Sequence, residues 1–242
     1  MLKSLIINVM SAFQIPVSWI PPLYSSVLKQ DRNLYRPFLQ PWRADEEFQR
    51  LWRRASTGMT SRIETCYFLD SLARHAASVP GAFWECGVYQ GGTAIFLADI
   101  AARHSKDLHL FDTFSGMPER TEGMDSFKLG SLGETSLEFV KSRLEGAENV
   151  HFHPGMMPES FAEVDRHKIA FAHIDVDQYR STLECCRHIY DLLSPSGIMV
   201  VDDYGRPGTP GARKAVDEFF HDMPEQPVAL NTGQCFIIKQ ER

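Results

Sequence analysis

IAFAHIDVDQYRSTLECCRHIYDLLSPSGIMVVDDY, residues 169–204, decides the fold. Its two ends, IAFAHIDV (169–176) and IMVVDDY (198–204), are unbroken apolar runs that stop at aspartate. A strand without polar alternation is buried on both faces, which requires a parallel sheet with helices on each side. The stretch between them, about 179–193, reads as a helix, so the unit is strand, helix, parallel strand.

Working outward, the alternation continues. Further strands are expected at FWECGV (83–88), LHLFDTF (108–114) and VHFHPG (150–155), with helices at about 92–104, 136–145, 158–164 and 212–222. Two more helices precede them. The first, about 44–56, carries Phe48, Leu51 and Trp52 at helical spacing. The second, about 61–78, has Ser61 and Glu64 as a capping box and an apolar face of Ile63, Tyr67, Leu69, Leu72 and Ala76, and Pro80-Gly81 ends it. Near the C-terminus VALNTGQCFIIK (228–239) reads as two strands joined at Asn231–Gly233. The expected fold class is α/β: a doubly wound, mostly parallel seven-stranded Rossmann-like sheet with an N-terminal helical extension and a C-terminal β-hairpin. A hairpin closing a parallel sheet is a feature of class I methyltransferases and not of nicotinamide-binding domains.

Composition narrows the class. The 242 residues are 43% hydrophobic and 23% charged, ordinary for a globular chain. The net charge of −6 and the lack of any basic block disfavour a nucleic-acid partner. The five cysteines are odd in number and form no C-x-x-C, so they read as buried thiols of a reducing, cytoplasmic compartment. Residues 1–28 are apolar, but Pro16, Pro21 and Pro22 interrupt them. They read as neither a transmembrane span nor a signal peptide. They are an arm that packs on a partner subunit, touches a membrane surface or covers the chain's own core, and a homo-oligomer is expected. The division expected is 1–56 for the N-terminal arm and helix, a lid or oligomer contact, and 57–242 for the main domain.

In an open parallel sheet, ligands bind beyond the carboxyl ends of the strands. The first strand runs into Glu85-Cys86-Gly87-Val88-Tyr89-Gln90-Gly91-Gly92-Thr93, an E-x-G-x-x-x-G pattern opening a helix. Glycines there let the backbone turn and approach a ligand, and the acidic residue fits an ammonium or hydroxyls better than a pyrophosphate. A bare structural turn would use the same glycines. Asp112 ends the second strand, where an acidic residue takes ribose hydroxyls or caps a loop. Gly155 and Met156 end the third and are placed to flank an adenine ring or to form a plain turn. Asp175, Asp202 and Asp203, with Asp177 as a weaker fourth, end the two central strands. Carboxylates converging in this way repel one another unless a hard divalent cation, Mg²⁺ by default, joins them. Such an ion would bind substrate oxygens and acidify the attacking hydroxyl, with Asp175 as ligand and nearest general base. The polar, glycine-rich TEGMDSFKLGSLGETS (120–135) reads as a lid.

ECGVYQGGTAIF (85–96), LFDTFSGMPE (110–119), HIDVDQYRSTLECCRHIYDLLSPSGIMVVDDYG (173–205) and GARKAVDEFF (211–220) resemble the macrocin O-methyltransferase family, over roughly residues 57–223. The resemblance implies metal- and S-adenosylmethionine-dependent methylation of a sugar hydroxyl on a natural-product glycoside or glycan precursor. It implies Asp175, Asp202 and Asp203 as magnesium ligands, Glu85 and Gly87 against the methionine part of the cofactor, and Asp112 against its ribose. The loop residues Val88, Gly91 and Thr93 belong to the same cofactor site. Gly58-Met59-Thr60-Ser61 resembles a cofactor-covering segment, which adds Met59 and Thr60. One departure is Phe127-Lys128, where many relatives have a His-Lys pair; a role for that histidine falls here to another residue or is absent.

Three other readings compete. A catechol-type enzyme acting on a phenol shares fold and carboxylates but needs an aromatic gate, for which Trp84, Tyr179 and Tyr204 are the candidates. A short-chain dehydrogenase predicts G-x-x-x-G-x-G and Y-x-x-x-K, and the chain has neither. A non-catalytic member of the fold predicts loss of the carboxylates, which are present.

Overall fold

The computed structural model describes residues 40–164 and 167–241, with no side-chain description for Glu163. The expected N-terminal arm therefore lies outside the described residues. Five parallel strands, β1 (Ala82–Cys86), β2 (Leu108–Asp112), β3 (Val150–Pro154), β4 (Ile169–Ile174) and β5 (Leu193–Val201), and the two strands β6 (Val228–Ala229) and β7 (Cys235–Ile238) form one sheet. Its order is β3-β2-β1-β4-β5-β7-β6. The β7 strand runs antiparallel to both β5 and β6.

Strand alternation builds two cores. Phe83, Leu110, Phe171 and Val200 face one side. There they meet α1 (Glu46–Ala55), α2 (Ile63–Ala76) and α3 (Gly92–Arg103). Trp84, Phe111, Ala172 and Met199 face the other, with α5 (Tyr179–Leu192) and α6 (Pro210–Phe220). A short α4 (Leu137–Arg143) precedes β3 and starts at Ser136, whose hydroxyl accepts from the Phe139 amide at 3.1 Å. Among the described residues no helix is long and apolar enough to cross a membrane.

Several boundaries differ from the sequence reading. A compact unit begins at Pro41, and α1 packs within it on one face of the sheet. Phe48, Leu51 and Ala55 are fully buried, and Phe48 stacks on Phe96 of α3 at 5.1 Å. Its N-cap is Asp45, whose carboxylate accepts from the Phe48 amide at 2.9 Å, worth about 1 kcal/mol. The Ser61–Glu64 capping box does not form; α2 starts one residue later, with Arg62 at the N-cap and no side-chain cap. Residues 158–164 close only a 3-10 turn, Glu159–Glu163. No loop separates α5 from β5. The strand begins at Leu193 and skips register around Pro195 and Ser196 before Ile198 pairs with Phe171.

Candidate active site

The strands stop earlier than their apolar runs because the chain turns sharply at each carboxyl end. Gly87 lies at φ +86°, just past β1. Of the six described non-glycine residues with positive φ, three lie at these ends: Tyr89 (φ 49°) after β1, Phe114 (φ 51°) after β2 and Asp177 (φ 59°) after β4. Such conformations cost of order 1–3 kcal/mol each and cluster where a fold holds a working site. A cavity opens at these turns.

Its first half is the glycine loop. Met59 and Thr60, from the α1–α2 segment, line it together with Gly87, Val88, Thr93, Asp112 and Met156. Gly91, the left-handed N-cap of α3, and Gly155, whose amide bonds the Asp112 carbonyl at 2.9 Å, shape the turns behind it. The Asp112 carboxylate ties two loops together. Its Oδ2 accepts from the amides of Val88 at 2.6 Å and Tyr89 at 2.9 Å, and Oδ1 from Phe114 at 2.7 Å. The two amides fill the acceptor sites of Oδ2, and Oδ1 keeps capacity for a ligand hydroxyl.

Glu85 does not line this cavity. It is directly paired with His173 of the neighbouring strand, and the two are fully buried with Oε1 and Nδ1 at 2.9 Å. One position before the strand end, the pleat turns Glu85 into the layer beside the sheet. Burial alone would strip His173 of its proton, but the flanking carboxylates of Asp202 and Glu85 outweigh it and raise its pKa to about 10.

The second half is acidic. Ligand oxygens of Asp175, Asp177 and Asp203 come within 4.8 Å of one another, and so do ligand atoms of His173, Asp175 and Asp202. The trio Asp175, Asp202 and Asp203 is therefore split between two overlapping groups. Asp202 is engaged elsewhere: Oδ1 accepts from Gln234 Nε2 at 2.9 Å and lies 3.7 Å from His173 Nε2, while Oδ2 holds the Arg206 guanidinium. Arg206 also reaches Asp203 Oδ1 at 3.5 Å. Burial and then mutual repulsion push Asp175 well above the usual carboxylate range, Asp177 to about 8 and Asp203 to about 6. Burial acts on Asp202 in the same direction, but His173 and Arg206 win and hold it below. Among the described residues, Asp175, Asp177, Asp202, Asp203 and Glu85 thus face two cations, His173 and Arg206. Hard oxygen donors short of countercharge fit Mg²⁺ or a similar ion.

Over the cavity lies the 114–136 segment, with Phe127 half-buried and Leu132 and Met117 in the lining. It is pinned at Asp125, which accepts from the Tyr179 amide at 2.8 Å and from the Thr121 amide at 2.7 Å. An aspartate far away in sequence thereby caps α5, the helix that follows the acidic turn. Arg206, Tyr89 and Ser181 also line the cavity and went unrecognised in the sequence, where nothing local marks them. Trp84 is buried between Phe111 and Phe161. The hydroxyls of Tyr179 and Tyr204 bond Glu218 and Asp217, and none of the three lines the cavity.

A parallel sheet of this order, closed by an antiparallel hairpin and opening at its strand ends onto a glycine loop and an acidic cluster, is the class I methyltransferase fold. Residues 52–228 match the description Macrocin-O-methyltransferase (TylF), and the chain belongs to that family. Similar curated proteins include the mycinamicin III 3''-O-methyltransferase of Micromonospora griseorubida, 30% identical over 157 residues, 58% of this chain and 61% of the relative. Another is the 8-demethyl-8-(2,3-dimethoxy-alpha-L-rhamnosyl)-tetracenomycin-C 4'-O-methyltransferase of Streptomyces olivaceus, 29% identical over 53% of this chain and 55% of the relative. The aligned region thus spans less than two thirds of either. The O-methyltransferase NovP shares the fold with a TM-score of 0.61 at 23% identity, over 71% of this chain and 80% of its own. The calicheamicin methyltransferase CalS11 shares it at 0.61 and 19%, over 84% and 98%.

Proposed function

We propose that this chain transfers a methyl group from S-adenosylmethionine to a sugar hydroxyl of a natural-product glycoside or glycan precursor, with a divalent ion, Mg²⁺ by default, at the acidic cluster. The observation that carries the reading is one cavity with the glycine loop and Asp112 on one side and an under-compensated carboxylate cluster on the other. When bound, the cofactor supplies an electrophilic methyl and the ion lowers the pKa of the acceptor hydroxyl.

The residues then have separable tasks. Asp112 offers its Oδ1 as acceptor to a ribose hydroxyl. Gly87, Gly91 and Thr93 form the turn at the start of α3, and Met59, Thr60 and Met156 close over the opposite side. Asp175 and Asp203 would hold the ion, with Asp202 as third ligand and Asp177 as the alternative beside them. The Asp175 carboxylate would serve both as ligand and as general base for the acceptor hydroxyl. The Gly87 and Asp175 backbones run against each other, which supports a base beside the glycine loop; in-line displacement needs nucleophile and methyl held in such proximity. A phenolic acceptor is the second reading. It is disfavoured because Trp84, Tyr179 and Tyr204 all lie outside the cavity, leaving Tyr89 and Phe127 as its described aromatic lining.

Two measurements test this. Calorimetric titration with S-adenosylhomocysteine, with and without Mg²⁺, is expected to show micromolar binding; absence of binding in both conditions would refute the reading. Asp112→Ala is expected to weaken that binding by about 1–3 kcal/mol, the loss for hydrogen bonds to a charged group. Unchanged affinity would remove Asp112 from the ribose site.

A further inference from the structure

Arg206 stands where the acidic cluster needs positive charge. Its guanidinium bridges Asp202 Oδ2 and Asp203 Oδ1, and it lines the cavity beside Asp175 and Asp177. Burial works against its charge, yet Asp202, Asp175, Asp203 and Asp177 together keep it firmly protonated. The other cation of the cluster, His173, is fully buried and wedged between Glu85 and Asp202, so it cannot leave. Arg206 is different. Its side chain is 36% exposed, so the guanidinium can move to solvent without opening the core.

The backbone around it is held while the side chain is not. The Arg206 amide bonds the Asp203 carbonyl at 3.3 Å, and its carbonyl accepts from the Thr209 amide at 3.2 Å. The Thr209 hydroxyl, in turn, bonds the Asp203 carbonyl at 3.2 Å. The loop is pinned at both ends of the residue, so rotation of the long stem suffices to release the carboxylates. While the guanidinium is in place, it occupies Asp202 Oδ2 and reaches Asp203 Oδ1, the oxygens an ion would otherwise take.

We infer that Arg206 is an internal cation latch: it neutralises the acidic cluster, competes with a divalent ion for Asp202 and Asp203, and must swing out for the ion to bind. The inference rests on the metal reading above. It predicts that the protein binds metal more weakly than its carboxylates alone would, and that the metal-free cluster is tolerable because the latch is shut.

The test is metal binding, read without catalysis. Mn²⁺ is titrated into the full chain with S-adenosylhomocysteine present and followed by electron paramagnetic resonance of the free ion. Wild type, Arg206→Met, Arg206→Lys and Asp203→Ala are compared. Removing a unit charge a few ångströms from the ion is expected to tighten Mn²⁺ binding by about tenfold or more in Arg206→Met. Arg206→Lys keeps the charge but loses the two-pronged grip, so its affinity is expected between the two. Melting gives a second signature: Arg206→Met is expected to melt below wild type without metal and to gain more on adding Mn²⁺. Should Arg206→Met not fold, Arg206→Lys carries the same comparison. Equal or weaker Mn²⁺ binding in these variants, with wild-type binding lost in Asp203→Ala, overturns the latch alone. No binding in wild type or in either Arg206 variant overturns the metal reading and the latch with it. Binding that appears only once Arg206 is replaced supports both.

Discussion

Asp175→Ala is expected to abolish methyl transfer while leaving the protein folded and able to bind S-adenosylhomocysteine. The substitution removes a proposed metal ligand and the nearest base together. A Lewis-acid ion contributes several kcal/mol to such a reaction. At about 1.4 kcal/mol per decade, that is a loss in kcat/KM of at least about a thousandfold. Stability should move the opposite way. Asp175 is half-buried in the cavity wall beside Asp202 and Asp203, and desolvation and repulsion hold its pKa far above the usual range. A raised carboxyl pKa means that ionising the group disfavours the fold, and that its stabilising influence is lost as pH rises towards neutrality. Deleting the group is therefore expected to leave the melting temperature at neutral pH unchanged or higher. An inactive, undamaged Asp175→Ala protein would mark a residue kept for chemistry at the expense of stability. Wild-type turnover in this variant, or in EDTA, would sink the metal mechanism.

Gly87→Ala is expected to fail differently, losing cofactor binding, metal binding and stability in one step. Gly87 sits at φ +86°, where any side chain is strained, and a Cβ there would lie 1.9 Å from the Asp175 carbonyl oxygen and 2.6 Å from its carbon. Both are backbone atoms and cannot rotate aside. Either the glycine loop or the Asp175 turn has to move, and each carries half of the site. The expected cost is several kcal/mol in chemical denaturation, with S-adenosylhomocysteine and Mn²⁺ affinity falling together. Gly208→Ala is the control, since a Cβ there meets nothing within 4 Å and no positive φ is involved. Ligand affinity within twofold of wild type in Gly87→Ala would show that the close passage of the two loops is not needed.

The contrast between these variants follows what each level of structure contributes. Continuous apolar runs at 83–88, 108–114, 169–176 and 198–204 required burial on both faces, and strands at all four places form the parallel sheet. The C-terminal hairpin was legible from its turn, since Leu230 and Gln234 close it by a 2.8 Å bond. The 158–164 segment was misread because one short apolar stretch cannot distinguish a full helix from a single turn. The apolar runs overshoot the strand ends because the chain turns at their last residues, as at Phe114, a residue type that does not announce a left-handed turn.

The sequence alone determined the α/β alternation and the placing of Gly87, Asp112, Asp175 and Asp203 at strand ends around one cavity. Those follow from periodicity and from the rule that ligands sit beyond the carboxyl edge of a parallel sheet, both of which are local. Only the tertiary structure decided the partners. It paired Glu85 with His173 across two strands, set Asp125 as the cap of α5, and closed Arg206 and Gln234 onto Asp202. Each of these contacts joins or reorients side chains through the turns between elements, and pattern along the chain carries no record of which way a turn aims them.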